Sequence, residues 1–288
     1  MNTEEHALSA LQEWQKQVEI HRQGREQSEE KSWARFSEWY DNWVDNNDYV
    51  ELILPRLQQH VGSTARVLEI GPGSGAFTLA LAPTVKEIVA VEPAPSMRTV
   101  LNRNLSKRNI TNVKIVPSRI EEVLQEEIGH FDLTLASHSL YNTKSIDMVL
   151  RSVIRLSRHF IILMGTGESL KWRQALYQRF KGKDRIRPPQ IGYFYPVLLE
   201  MGIYGDVEIF WTSANYVYNN EENLVEEWMK ALQLDETCRG ELRSALLEIA
   251  ERKGNQIGIY RRRRSALVWI ERNRSVFSWE VELIPDCD

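Results

Sequence analysis

The sequence predicts an α/β chain: a mostly parallel sheet with helices on both faces. Two observations carry this. Between residues 65 and 166, short apolar runs alternate with helix-forming stretches: ARVLEI, EIVAVE, VKIVP, FDLTLAS and HFIILMG. Strands spaced by helices in this way pair in parallel beneath helical layers. Second, Val67 to Ala82 reads VLEIGPGSGAFTLALA, an apolar strand that passes through Gly71, Gly73 and Gly75 straight into a helical run. Glycines so spaced let the backbone turn sharply and admit a ligand without Cβ clashes, and the following helix offers unpaired N–H groups. A nucleotide-like ligand suits that shape. Gly71, Gly73 and Ala76 also satisfy the dinucleotide pattern G-x-G-x-x-G/A, so the glycines alone leave two cofactor classes open.

Taken in order, residues 1–31 are polar but carry Leu8, Leu11, Trp14 and Val18 at helical spacing, which predicts a surface helix. Trp33, Phe36, Tyr40 and Trp43 follow at intervals of three, four and three, giving a helix with one aromatic face. Pro55 is expected to kink or begin a further helix ending near Gly62. Residues 1–62 thus read as an N-terminal helical cap and 63–288 as the α/β domain. After Gly167 come helical material to Lys181, the basic turn KGKDRIRPPQ, an amphipathic stretch to Met201 and a strand near DVEIFWTSANYVY. A helical insertion is expected at about 222–252, from Leu224, Trp228, Leu232, Leu242, Leu246 and Ile249, and SALVWIER closes the chain as a strand.

Composition narrows the function. A net charge of −4 over 288 residues gives no general drive towards nucleic acid or an anionic membrane. No stretch approaches the length of a membrane helix, and the N-terminus lacks a basic start and an apolar core, so a cytoplasmic location is expected. Cys238 and Cys287 suggest neither a disulfide framework nor a metal quartet, and the histidines show no ligand spacing; no metal is expected.

Glu69, two residues before Gly71, extends the glycines to E-x-G-x-G-x-G, which resembles motif I of class I S-adenosylmethionine-dependent methyltransferases. The strand EIVAVEP ends at Glu92, seventeen positions after Gly75, where an acid can accept hydrogen bonds from both ribose hydroxyls. Pro93 and the helix start containing Met97 resemble the family's acid–proline pair and Met-containing helix. KIVPSRIEEV and FDLTLASHSLYN stand where its adenine-contacting loop and motif IV are expected.

The resemblance implies a Rossmann-like methyltransferase fold, with a seven-stranded sheet and an antiparallel terminal strand. It also implies S-adenosyl-L-methionine as cofactor. The cofactor-binding residues it points to are Glu69, Gly71, Gly73, Gly75, Glu92, Pro93, Met97, Ser118, Arg119, Ile120 and Ser137. Arg119 departs from the more frequent acidic or small residue of the adenine loop. His138 and Tyr141, just past the fourth strand, stand where the methyl group should emerge and are the candidate catalytic residues. Methyl transfer to a small or medium-sized acceptor is the expected function.

Nucleic acid is not the expected partner, because SHSLYN replaces the N/D-P-P-Y/F motif used for amino-group targets. A homodimer is compatible with the sequence. A nicotinamide-dependent oxidoreductase would share the glycine turn and Glu92; a non-catalytic S-adenosylmethionine-binding regulator would share every motif. The aromatic stripe reads either as core or as a lid over the crevice. The run Arg261 to Arg264 cannot face one way on an extended segment, which leaves both an anion site and a solvated strand edge open.

Overall fold

The computed structural model describes residues 8–24, 29–126, 128–168 and 170–275; Cys287 lies outside these, as does the side chain of Phe36. The main sheet contains β1 (Arg66–Ile70), β2 (Glu87–Val91), β3 (Val113–Val116), β4 (Phe131–Ser137), β5 (Ser157–Gly165), β6 (Asp206–Ser213) and β10 (Arg262–Glu271). Its order is β3-β2-β1-β4-β5-β10-β6. Strands β1 to β5 pair in parallel, and β10 runs antiparallel to both β5 and β6. The seven-stranded sheet with an antiparallel last strand is as expected. Because β1 lies between β2 and β4, with Glu69 opposite both Ala90 and Leu135, the glycine turn emerges at the centre of the sheet's carboxyl edge.

The central strands are buried on both faces, which is why they read as continuous apolar runs rather than alternating ones. One core layer gathers Phe77, Leu81 and Leu101 with α3 (Tyr49–Gln58) and the later helical insert. The opposite layer is built on α7 (Ile146–Leu156), whose Ile146, Val149, Leu150, Val153 and Ile154 recur at the spacing of one helix face and are all buried. Each such side chain contributes about 1.5–3 kcal/mol relative to exposure, so Leu150→Ala would remove a keystone of that layer.

Helix α1 (Ala10–Gln23) is more deeply anchored than its polar composition suggests. A capping box at Ser9 and Gln12 starts it. Trp14 and Val18 are fully buried in the second core layer. The Trp14 indole N–H donates to the Thr143 carbonyl at 2.8 Å, and Arg22 donates to Asn142 O at 2.6 Å. A four-residue stripe of this kind needs only one facing groove, and α9 (Ile191–Glu200), with Phe194 edge-on to Trp14, supplies it. Pro55 neither starts nor ends a helix: it lies inside α3, and the carbonyl it leaves unbonded belongs to exposed Glu51.

Helix α2 (Glu29–Asp45) crosses the carboxyl edge of the sheet. The turn from α2 to α3 clamps the point where the chain leaves β6. Ser213 N donates to Asp48 Oδ1, Asp48 N donates to Ser213 Oγ, and Asn215 N donates to Asn47 Oδ1, at 2.8–2.9 Å.

The segment expected as a helical insertion is mixed. Helices α10 (Glu221–Leu232) and α11 (Arg239–Leu247) are present, but a second antiparallel sheet, β7-β9-β8, flanks them, from Tyr216–Tyr218, Gln256–Ile259 and Glu251–Lys253. DVEIFWTSANYVY therefore spans two strands of different sheets. The pairing of Lys253 with Gln256 leaves Gly254 and Asn255 as a two-residue hairpin loop, with Gly254 at φ +58°.

Candidate active site

A cavity of about 500 Å³ opens along the carboxyl ends of the strands, where open α/β sheets bind their ligands. That volume lies within the ~300–1,000 Å³ usual for small-molecule sites. One end is walled by Gly71, Gly73, Glu92, Met97, Ile120 and Ser137, and Pro93 and Arg119 line it too. Gly165, Arg173, Arg185, Gln190, Tyr216 and Trp228 are among the residues that wall the other end. His138 and Tyr141 line the cavity as well.

The three glycines do not serve one purpose. A Cβ on Gly71 would lie 2.5 Å from Ser139 Cβ, and one on Gly75 would lie 2.6 Å from Leu101 Cδ1, so both are packing positions. Gly73, at φ +59°, would meet only the Tyr40 ring, at 3.4 Å. Its missing side chain leaves a cradle a ligand can fill. Gly75 does not line the cavity; at φ +98° it caps α4 (Ala76–Leu81).

Glu92 is 6 % exposed and its carboxylate is held at both oxygens: Gly73 N–H donates to Oε2 at 3.1 Å and Ala94 N–H to Oε1 at 2.9 Å. Glu69 is placed differently. It is buried beneath the glycine turn, does not line the cavity, and accepts a 2.5 Å hydrogen bond from Thr78 Oγ1. Burial pushes its pKa up to about 7, the Thr78 bond opposes this, and the charge of Glu92 adds to it. Ser118 also stays off the cavity wall, because its hydroxyl donates to Glu122 at the start of α6 (Ile120–Val123).

Trp33, Tyr40 and Trp43 of α2 all line the cavity, with the ring of Tyr40 stacked on Trp43 and Trp43 tilted against Tyr49. The aromatic face therefore closes over the strand ends rather than turning outward. Asn42 Nδ2 donates to Val217 O, and Asn104 donates to Asp41, which fixes the helix on both flanks.

His138 adopts φ +54°, a left-handed conformation that strains a side chain. Its N–H donates to Leu163 O at 2.9 Å. Gly165 N–H donates to Tyr141 Oη at 2.9 Å, and Oη lies 2.7 Å from His138 Nδ1. Which of the two donates to the other depends on the imidazole tautomer. Nε2 is enclosed, with no hydrogen-bond partner among the described residues. Burial, followed by the charge of Arg263, pushes the His138 pKa down to about 3, and burial raises Tyr141 to about 12. Both are neutral at physiological pH, with Nδ1 engaged by Tyr141 and Nε2 enclosed.

Sequence reasoning passed over the arginines at the far end. Arg173 and Arg185 line the cavity, as does Arg187, yet in sequence the last two have no more than a place in a basic turn. The run Arg261 to Arg264 divides as extended geometry requires. Arg263 lies over the Trp43 ring at 5.4 Å, while Arg262 and Arg264 lie over Trp211; Arg263 and Arg264 both line the cavity.

A family model described as a methyltransferase domain matches residues 68–159. Among curated relatives, ribosomal RNA small subunit methyltransferase A of Desulforapulum autotrophicum is 40% identical over 121 residues, which is 42% of this chain and 38% of that protein. Ribosomal RNA small subunit methyltransferase G of Helicobacter hepaticus is 27% identical over 101 residues, 34% of this chain and 54% of that protein. The chain thus spans about a third to a half of the length of the curated relatives it matches. A solved protein of Bacillus halodurans C-125, provisionally assigned as a methyltransferase, shares the fold with a TM-score of 0.50 at 14% identity, covering 76% of this chain and 98% of its own.

Proposed function

We propose that the chain is a class I S-adenosylmethionine-dependent methyltransferase, a reading supported by the methyltransferase-domain match over residues 68–159, and that it methylates a small or medium-sized acceptor held between the strand ends, α2 and the helical insert. The observation that carries this reading is the continuity of one cavity from the Gly73–Glu92 cradle to the far wall, beneath the aromatic face of α2. The bound cofactor supplies a methyl group already activated on a sulfonium, so the protein has chiefly to align and to dehydrate.

Glu92 accepts hydrogen bonds from the ribose hydroxyls, Gly73 leaves room for the ligand's closest approach, and Met97, Ile120 and Arg119 wall the adenine. Glu69 acts from beneath, holding the turn through Thr78. Tyr40, Trp43 and Trp33 exclude water. His138 and Tyr141 brace the end of β4 against β5 and shape the wall. With both neutral and tied to each other, the site suits an acceptor whose nucleophile carries a lone pair at neutral pH. A cytoplasmic location belongs to the same proposal; among the described residues no helix is long and apolar enough to cross a membrane.

Ribosomal RNA is the second reading, favoured by the names of the curated relatives. The net charge of −4, the SHSLYN sequence after β4 and the walled cavity favour a small acceptor. Here Tyr141 has its hydroxyl committed to Gly165 and His138, which holds its ring in the wall instead of leaving it to stack on a base. The deciding experiment incubates the protein with methyl-labelled cofactor and cell extract separated into small-molecule and RNA fractions. Label in the small-molecule fraction is expected. Label in RNA alone would overturn the acceptor class, and label in neither fraction would favour a non-catalytic binding protein.

A further inference from the structure

The far end of the cavity brings together three cations that have no carboxylate partner among the described residues. Arg173 rises from α8 (Lys171–Lys181); Arg185 and Arg187 come from the segment that follows. Arg173 Nη1 donates to Tyr216 Oη at 2.9 Å, and its guanidinium lies 5.5 Å from the ring centres of both Tyr216 and Trp228. Arg187 donates to the Gly167 carbonyl at 2.5 Å. These contacts position the guanidinium groups but neutralise nothing.

The carboxylates nearby are engaged elsewhere. Glu168 holds Arg264 at 3.2 Å, Glu227 faces Lys230 at 3.4 Å, Glu92 takes the Gly73 and Ala94 amides, and Asp184 is held by Gln174. Among the described residues none of the three arginines forms an ion pair. The consequence is visible at Arg185, whose pKa is pressed down to about 10, first by the charge of Arg173 and also by that of Arg187. Arranging three like charges around one space is unfavourable unless something of opposite sign enters it. Arg185 and Arg187 keep open surface, so an anion can reach them from solvent.

We propose that Arg173, Arg185 and Arg187 form an anion subsite that binds a carboxylate or phosphate monoester of the methyl acceptor. Planar guanidinium forks fit both groups and bind them bidentately. The inference rests on the acceptor reading above, and it makes the acceptor an anionic small molecule whose charged group lies at the opposite end of the cavity from the Gly73–Glu92 cradle. Aromatic surface from Tyr216 and Trp228 flanks the subsite, so an apolar or aromatic body next to the anion would be accommodated.

The test uses the full chain, with and without saturating S-adenosylhomocysteine, titrated by calorimetry with inorganic phosphate, with succinate and with a short ribosomal RNA hairpin. The wild-type protein should bind at least one of the two small anions saturably. Arg185→Gln should weaken that binding by roughly tenfold or more, and Arg185→Lys should restore it only in part. S-adenosylhomocysteine affinity should stay within about twofold in both variants. Arg187→Gln, at an exposed position, provides the same comparison should Arg185→Gln fail to fold. Equal small-anion affinity in wild type and variants would overturn the subsite, as would no saturable binding of either anion. RNA binding that falls in the variants while phosphate affinity does not would assign these arginines to a phosphodiester backbone and overturn it too. Failure of wild type to bind S-adenosylhomocysteine would instead strike at the cofactor reading; the titrations without it still report on the arginines.

Discussion

Tyr141→Phe tests the brace at the end of β4 most directly, because it deletes one oxygen and leaves the ring. Two hydrogen bonds disappear: the one accepted from Gly165 N–H at 2.9 Å and the one shared with His138 Nδ1 at 2.7 Å. Both former partners are then left without a mate in a partly buried site, and each orphaned polar group costs ~1–3 kcal/mol. Water entering from the adjoining cavity recovers some of this, so the expected loss is about 3 kcal/mol, or a fall in melting temperature of about 6–12 °C for a chain near this size. The assay is thermal and urea unfolding of wild type and variant at one pH, with S-adenosylhomocysteine titrated into both. Cofactor affinity should change little, since Tyr141 lies away from the glycine cradle.

A second signal accompanies the stability loss. Once its Nδ1 is released and hydrated, His138 should titrate well above the value of about 3 that burial imposes on it, visible in the imidazole resonances. A variant as stable as wild type, with an imidazole that still fails to titrate above pH 5, would refute the proposed network.

Gly73→Ala should keep the fold, at a strain of ~1–2 kcal/mol from its left-handed φ, but lose S-adenosylhomocysteine affinity sharply, whereas Gly75→Ala should be lost chiefly to instability because its Cβ meets Leu101; circular dichroism with calorimetry separates the two. Glu92→Ala should weaken S-adenosylmethionine and S-adenosylhomocysteine alike by roughly 1.5–3 kcal/mol, and equal affinities would remove Glu92 from the site. Glu69 predicts a pH effect. Its folded pKa of about 7 lies above the unfolded value of 4.5, so the folded state holds the extra proton between them and Glu69's contribution to stability declines as pH rises through that window. Glu69→Gln, neutral throughout, should gain stability relative to wild type from pH 5 to pH 8 in parallel denaturant titrations. Bound S-adenosylhomocysteine should slow hydrogen exchange across residues 33–43, and Tyr40→Ala should abolish that protection and weaken the ligand; no added protection would mean that the aromatic face does not cover the ligand.

Much of the scaffold was legible because its signals are local. The apolar runs of β1 to β5, the glycine turn and Glu92 at its strand end are short-range patterns whose spacing dictates strand, turn and helix in turn. The small second sheet was also written in the chain, in the Gly254–Asn255 loop between ERK and QIGI, but the helical periodicity on its N-terminal side masked it. The aromatic stripe of α2 was evident from its intervals, and its location was not, since spacing gives a helix a face without saying what it meets.

What the sequence determined by itself was the α/β order, the resemblance of its motifs to a methyltransferase, and the set of groups at the strand ends. The tertiary structure decided how those groups divide. It placed Gly73 and Glu92 on the cavity wall, Glu69 and Gly75 behind it, and tied the hydrogen-bonded pair His138 and Tyr141 to a backbone amide 24 residues beyond Tyr141. It also brought Arg173, Arg185 and Arg187 around one space with no carboxylate partner among the described residues. Burial and like-charge crowding arise from chain segments that are distant in sequence, and a local pattern carries no record of them.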